Sequence, residues 1–270
     1  HKRSLALKQG ILFTSEDDFV SGYITYNGKK YKVKLRLKGD WTGHLEGEKW
    51  SFRVKVSGDK TILGMKKFSL QHPKQRSWAH EWIFHTILNQ ENVLSLRYKF
   101  VTVSLNGKDL GVFALEEHFE KRLLENQKMK ESPILKMSEA VFWKRMVHGD
   151  EKNYRFSEKE IYDSFPDVFQ ENKILNSPTL KPLFFKSVKL LNAFNTGVLK
   201  TSEVFDLESL AKYMAICDVL GAYHSLIWHN MRFYYNPITS KLYPIGFDGN
   251  AGRPFENKYM AVSNKRILNF

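Results

Sequence analysis

The chain of 270 residues contains a single cysteine, Cys217, so an intramolecular disulfide is excluded. A lone thiol fits a reducing compartment, and equally an extracellular bacterial protein that avoids cysteine, so the localisation stays open. No apolar run reaches the ~18 residues that a spanning helix needs, which excludes a transmembrane helix. The opening HKRSLALKQGILF has basic residues but no long apolar core and no initiator methionine. It reads as the start of an excised domain, from which any targeting signal would be missing. There is no internal repeat and no low-complexity linker, which argues against a solenoid or a tethered tail. The basic residues form no dense block, which argues against a simple nucleic-acid tail and makes nucleic acid an unlikely partner.

What is present is a core. Apolar residues make up 42% and aromatics 14% of the chain, enough for one large domain or two lobes. The net charge of +13 favours anionic partners such as nucleotides, phosphopolymers or acidic proteins. The plainer alternative is a basic surface with no partner.

The first third alternates with period two. VSGYITYNGKKYKVKLRLKGDW has two alternating runs around Asn27-Gly28, a strong hairpin signal. KWSFRVKVSG alternates again, with Phe52, Val54 and Val56 on one face, and MKKFSLQHP is a fourth short strand. RSWAHEWIFHTILNQ is apolar at Trp78, Trp82, Ile83, Ile87 and Leu88, which predicts a helix with Ser77 as its N-cap. RYKFVTVSL and LGVFALEEH follow as strands joined by Asn106-Gly107. Beyond residue 117 the pattern turns helical: EHFEKRLLENQKMK, then a short strand in SPILKM, then weakly patterned residues 140–178. TLKPLFFKSVKLLNAFNTG reads as a helix closed by Gly197, and DLESLAKYMAICDVLGAY as a core helix capped by Asp206. A late hairpin closes the series, MRFYYN and KLYPIGF. The expected fold is α+β and bilobal. A β-rich N-terminal lobe with one helix spans residues 1–117, and a mainly helical C-terminal lobe with the late hairpin spans residues 118–270.

This order offers the few parts of a protein-kinase-like phosphoryl-transfer site. A base on an N-lobe strand holds nucleotide phosphates; Arg53 and Lys55 are both candidates. Glu81 on the single N-lobe helix would orient that base. Asn230 opens the first strand of the late hairpin and Asp248 follows the second, so antiparallel pairing brings them near each other as a metal pair. Taken singly, each has an ordinary explanation: a loop Asn, a turn Asp, solvent-facing cations and an exposed helix Glu.

The segments RLKGDWTGH, KWSFRVKV, KKFSLQHP, VTVSLNGKDLGVFALEEH and DLESLAKYMAICDVLGAYHSLIWHNMRFYYNPITSKLYPIGFDGN, in this order, resemble the spore-coat CotH kinase family over roughly residues 31 to 252. The resemblance implies an atypical protein-kinase-like fold that uses ATP and a divalent metal, Mg²⁺ or Mn²⁺, to modify a protein or other polymer. It implies that Asn230 and Asp248 hold the metal and that Leu115, Glu116 and Glu117 form the adenine-side hinge. It places Lys38, Gly39 and Thr42 in the loop over the phosphates, and Glu81 beside the base of SFRVKV. One departure stands out. The family has an Asp shortly before its HN pair, where this chain has Ala222-Tyr223-His224-Ser225. His224 stands where the Asp is expected and Ser225 lies five residues before Asn230, so His224, with His229 as second candidate, becomes the expected general base. The same departure keeps two alternatives open. One is AMP or glutamate transfer on the same fold; the other is a catalytically inactive pseudokinase or anionic-polymer-binding module.

Overall fold

The computed structural model describes residues 1–143 and 164–252. Its chain divides into two compact units, residues 1–82 with 96–126 and residues 83–95 with 127–270. The division is not one cut: the chain enters the second unit, returns to the first and leaves it again after Asn126.

The first unit is built on a six-stranded antiparallel sheet of order β1-β2-β3-β4-β7-β6. The strands are β1 Val20–Tyr26, β2 Lys29–Leu37, β3 Phe52–Val56, β4 Lys67–Gln71, β6 Tyr98–Leu105 and β7 Lys108–Glu117. Asn27 (φ 48) and Gly28 (φ 72) make the β1–β2 turn, both left-handed, as a tight hairpin with right-handed strand twist demands. Asn106 (φ 52) and Gly107 (φ 82) repeat the solution between β6 and β7. Period-two alternation separates the faces. Val33, Val54, Val56, Phe68 and Leu115 form a buried apolar layer on one of them. Charged and polar side chains line the other. Ahead of the sheet, helix α1 (Lys2–Gln9) rests its Ala6, with Leu12, on Leu45 in the β2–β3 connection.

Helix α2 (His80–Gln90) departs from the expected pattern. Its buried positions are Glu81, Phe84, His85 and Leu88, while Trp78, Trp82 and Ile83 are exposed. Ser77 is not its N-cap. Ser77 (φ 52) and Trp78 (φ 60) are both left-handed and close a 3-10 turn at Pro73–Arg76, which delays the helix to His80. The polar signal at Ser77 thus belongs to the end of one turn and not to the start of the next.

The second unit holds a five-stranded sheet of order β5-β11-β10-β8-β9. Its strands are β5 Leu94–Ser95, β8 Ile134–Met137, β9 Pro166–Val168, β10 Arg232–Asn236 and β11 Lys241–Gly246. The late hairpin β10–β11 is therefore central, flanked by β8 and, in parallel, by β5. The expected helix over residues 117–130 is shorter, α3 Lys121–Asn126, and belongs to the first unit. Part of the weakly patterned 140–178 stretch lies outside the described residues; the described part includes β9 and α4 (Glu171–Leu175). Helix α5 (Leu180–Asn195) and the short α6 (Thr201–Val204) pack Leu191 and Val204 against Phe205, Phe233 and Leu242. In α7 (Leu207–Val219), Asp206 is the N-cap, accepting from the Ser209 amide at 3.0 Å. Its Tyr213, Ile216 and Cys217 form a second core with Phe84, Leu88 and Leu226.

Candidate functional site

Two constellations of buried polar groups stand out, one in each unit. The first grows from the register of the N-terminal sheet. Arg36 lies opposite Arg53, Arg53 opposite Ser69, Ser69 opposite Glu116, and Glu116 opposite Tyr98. Residues opposite one another in antiparallel strands share a face, so these five form one row across the sheet. Glu116 is 1% exposed and is the counter-charge of the row. Lys38 Nζ lies 3.3 Å from its Oε2, and Arg76 Nε lies 3.6 Å from its Oε1. Lys38 also donates to Gln71 Oε1 at 2.6 Å. Burial pushes the Arg53 guanidinium down to about 10, and the charge of Glu116 partly restores it. Burial raises the Tyr98 phenol, reinforced by the charges of Glu116 and Glu81.

The structure sorts the expected residues of this unit. Arg53 belongs to the Glu116 network, whereas Lys55 ion-pairs with Glu16 and stacks on the Phe19 ring, 4.1 Å from its centroid. The two adjacent glutamates expected as a hinge, after Leu115, point to opposite faces at the end of β7. Glu116 joins Lys38 and Arg76, while Glu117 accepts from Arg97 Nε at 2.9 Å. Glu81 is fully buried and its charge acts on Tyr98. Gly39 (φ +102) is required where it stands, because a Cβ there would lie 2.2 Å from the His44 ring. The loop it starts is tied to the Pro73–Arg76 turn by Gln75 Nε2, which donates to the Gly43 carbonyl at 2.7 Å. Arg76, Ser69, Gln71 and Tyr98 were not legible as site residues. The available signal was the alternation that puts every second residue of β4 on the charged face.

Lys67, two residues before Ser69, is held down to about 8 by burial and then by Lys55 and Arg53, with Glu120 and Glu16 opposing. The ordinary lysine value is 10.5. Below about pH 8 both folded and unfolded chains carry this charge, and the folded one bears its desolvation. Between about pH 8 and 10.5 the folded chain releases the proton first, so this residue makes stability rise with pH. Lys67→Met is expected to raise the melting temperature most below pH 8, and to lose that advantage towards pH 10.5. Melting curves of both proteins across this range check it; a constant difference would refute the assignment.

The second constellation lies where α7 gives way to the late hairpin. The Tyr213 hydroxyl donates to the Ser225 carbonyl at 3.0 Å and meets Ser225 Oγ, which pins the 3-10 turn Tyr223–Leu226 to α7. Ser225 is fully buried there, so it is not a proton acceptor for an incoming group. His224 next to it is a centre of contacts. Its Nδ1 faces the Asp248 carbonyl oxygen at 2.9 Å and Asp248 Oδ1 at 3.2 Å. Asn230 Nδ2 donates to the His224 carbonyl at 2.9 Å and lies 3.0 Å from Nδ1. Two acceptors at Nδ1 favour the proton there, which leaves the Nε2 lone pair as the basic position. Asp248 (φ 51) and Asn250 (φ 46) are left-handed, as the tight turn after β11 requires. Gly249 between them packs on Phe84, which a Cβ would approach to 2.9 Å.

Arg232 supports the turn before β10. Its Nη1 donates to the carbonyls of His229 at 2.7 Å and Met231 at 2.9 Å, and its guanidinium lies 5.0 Å from the Phe247 ring centroid. Burial lowers it to about 10. His229 packs edge-on against Trp228 and His224, and burial followed by the His224 charge lowers it to about 4. So low a value makes His229 a weak base.

Asn230 and Asp248 are 4% and 8% exposed and meet the same imidazole. With the amide nitrogen committed to His224, the Asn230 oxygen is the atom left to meet a cation. Among the described residues, no group of three or more His, Cys, Asp or Glu side chains could hold a metal by itself. One amide oxygen and one carboxylate fit a hard divalent ion that takes its remaining ligands from phosphate and water, which is the Mg²⁺ habit. In the first unit the buried Ser69 Oγ has no hydrogen-bond partner among the described residues, and it stands in the middle of the cationic row. A phosphate oxygen would satisfy it.

The protein is mixed α+β, with a cationic sheet face in the first unit and an Asn–His–Asp cluster beside the late hairpin of the second. The chain belongs to the CotH kinase protein family, whose model matches residues 35–267, and membership of this family points to kinase-like transferase activity. A comparison with curated proteins returned no match. No described helix is long and apolar enough to cross a membrane.

Proposed function

We propose that this protein is an ATP- and divalent-metal-dependent transferase that moves a phosphoryl group to a hydroxyl of a protein or other polymer. The observation that carries the reading is the meeting of Asn230 and Asp248 on one histidine ring, in a chain of this family. Arg53, Lys38 and Arg76 hold the phosphates, with Glu116 fixing the latter two. Asn230 and Asp248 hold the metal, which supplies neutralisation of the phosphate charge. His224 accepts the acceptor's proton on Nε2 while Asp248 holds Nδ1–H. The new bond joins the acceptor oxygen to the γ-phosphorus, the bond from that phosphorus to the β,γ-bridging oxygen breaks, and ADP leaves with the electron pair.

Thermal denaturation with ATP and Mg²⁺ or Mn²⁺ tests this. Ligand at a hundred times its Kd stabilises a protein by about 2.7 kcal/mol. Asp248→Asn is the cleanest variant, because Asn tolerates the left-handed backbone at this position. The native protein should show a metal-dependent shift that Asp248→Asn abolishes. The mass added to an acceptor then identifies the transferred group. An unshifted melting curve in both proteins would defeat the reading, and an added mass of AMP or glutamate would replace the phosphoryl step.

A further inference from the structure

The charged face of the first sheet holds more cations than the Glu116 network engages. In the next cross-strand row, Lys34 lies opposite Lys55 and Lys55 opposite Lys67. Three like charges on neighbouring strands, each pair of strands ~5 Å apart, repel one another unless an anion lies over them. A carboxylate lies against the central lysine of this row. Glu16, in the 3-10 turn Glu16–Asp18, ion-pairs with Lys55, and its side chain is 79% exposed. An ion pair so open to water is weak and easily exchanged. Phe19 backs the same group, with its ring centroid 5.2 Å from the Arg36 guanidinium. Arg36 Nε has no hydrogen-bond partner among the described residues. Asp18 and Asp40 also act on Arg36, and Glu120 on Lys67, while Glu16 is the carboxylate that pairs with the central lysine, Lys55.

We propose that Lys34, Lys55 and Lys67, with Arg36 beside them, form a phosphate-binding subsite in which Glu16 is a displaceable internal counter-ion. Ammonium point charges beside a guanidinium fork are the usual partners of phosphate oxygens. The inference rests on the transferase reading only for the source of the phosphate. It comes either from the outer phosphates of the nucleotide or from a phosphate already carried by the acceptor.

The test is calorimetric titration with inorganic tripolyphosphate at fixed salt. Glu16→Gln should tighten binding several-fold, and Lys34→Gln with Lys55→Gln should weaken it about tenfold or more, the scale of charged hydrogen bonds. In a Lys55→Gln background, Glu16→Gln should lose its effect, because the two act through one contact. Lys29→Gln with Lys30→Gln removes the same charge at the β1–β2 turn and should leave the affinity unchanged. Equal weakening in this control would reduce the effect to the protein's overall field and overturn the subsite. Mutual exclusion of tripolyphosphate and ATP identifies the row with the nucleotide's outer phosphates; simultaneous binding identifies it with the acceptor. Tripolyphosphate binding that depends on Glu16 and the lysines, without any ATP binding, would sink the transferase reading and leave the subsite standing. ATP binding with tripolyphosphate indifferent to Glu16, Lys34 and Lys55 would overturn the subsite alone.

Discussion

Glu116→Gln is expected to destabilise the protein by about 3–5 kcal/mol, the range for removing one partner of a buried ion pair. The carboxylate is 1% exposed and faces Lys38 and Arg76, so its loss removes a counter-charge from two buried cations at once. Arg53, already lowered to about 10 by burial, loses the charge that most supports it. For a domain near this size each kcal/mol moves the melting temperature by roughly 2–4 °C, so the fall should be on the order of 6–20 °C. Denaturant or thermal unfolding measures it. Glu48, whose pairing with Lys108 is solvent-exposed, is the contrast: Glu48→Gln should leave the melting temperature unchanged. A Glu116 variant as stable as the native protein would show that Lys38 and Arg76 do not depend on it.

His224→Gln is expected to cut the turnover number by about 10²–10⁴, the usual worth of a positioned general base. Nucleotide and metal binding should survive, because Asn230 donates to the backbone carbonyl of residue 224 and not only towards the ring. The loop should also survive, since Tyr213 holds it through Ser225. Steady-state kinetics beside a nucleotide titration separates the two effects. Unchanged turnover would remove His224 from the proton-transfer role, and joint loss of binding and turnover would recast it as a positioning residue for Asn230 and Asp248. Ser225→Ala offers no parallel test of chemistry, because its hydroxyl is buried against Tyr213.

The parts of this protein that short-range chemistry controls were legible in its sequence. Asn27-Gly28 and Asn106-Gly107 are hairpin turns because both residues in each pair adopt positive φ at little cost. Asp206 caps α7, and Gly197 (φ 72) lies just past the end of α5. The late hairpin and the positions of Asn230 and Asp248 at its ends follow from the same local pattern.

Other features depended on partners distant in the chain. Apolar spacing pointed to Trp78, Trp82 and Ile83 as a helix face, but the left-handed Ser77 and Trp78 shift the start of α2. Glu81, Phe84, His85 and Leu88 are buried instead. Arg53 and Lys55 are equivalent by alternation; they differ because β2 and β4 set Arg36 and Ser69 beside one, and Lys34 and Lys67 beside the other. Glu116 and Glu117 are neighbours that period two sends to opposite faces, and only strand order reveals that Lys38 and Arg76 await the first and Arg97 the second. Local pattern thus determined which residues form strands, turns and caps, because those choices depend on each residue's own backbone preferences and near neighbours. Tertiary structure decided which charges are buried together, because register brings together side chains such as Lys38 and Glu116, 78 residues apart, whose separation carries no periodic signal.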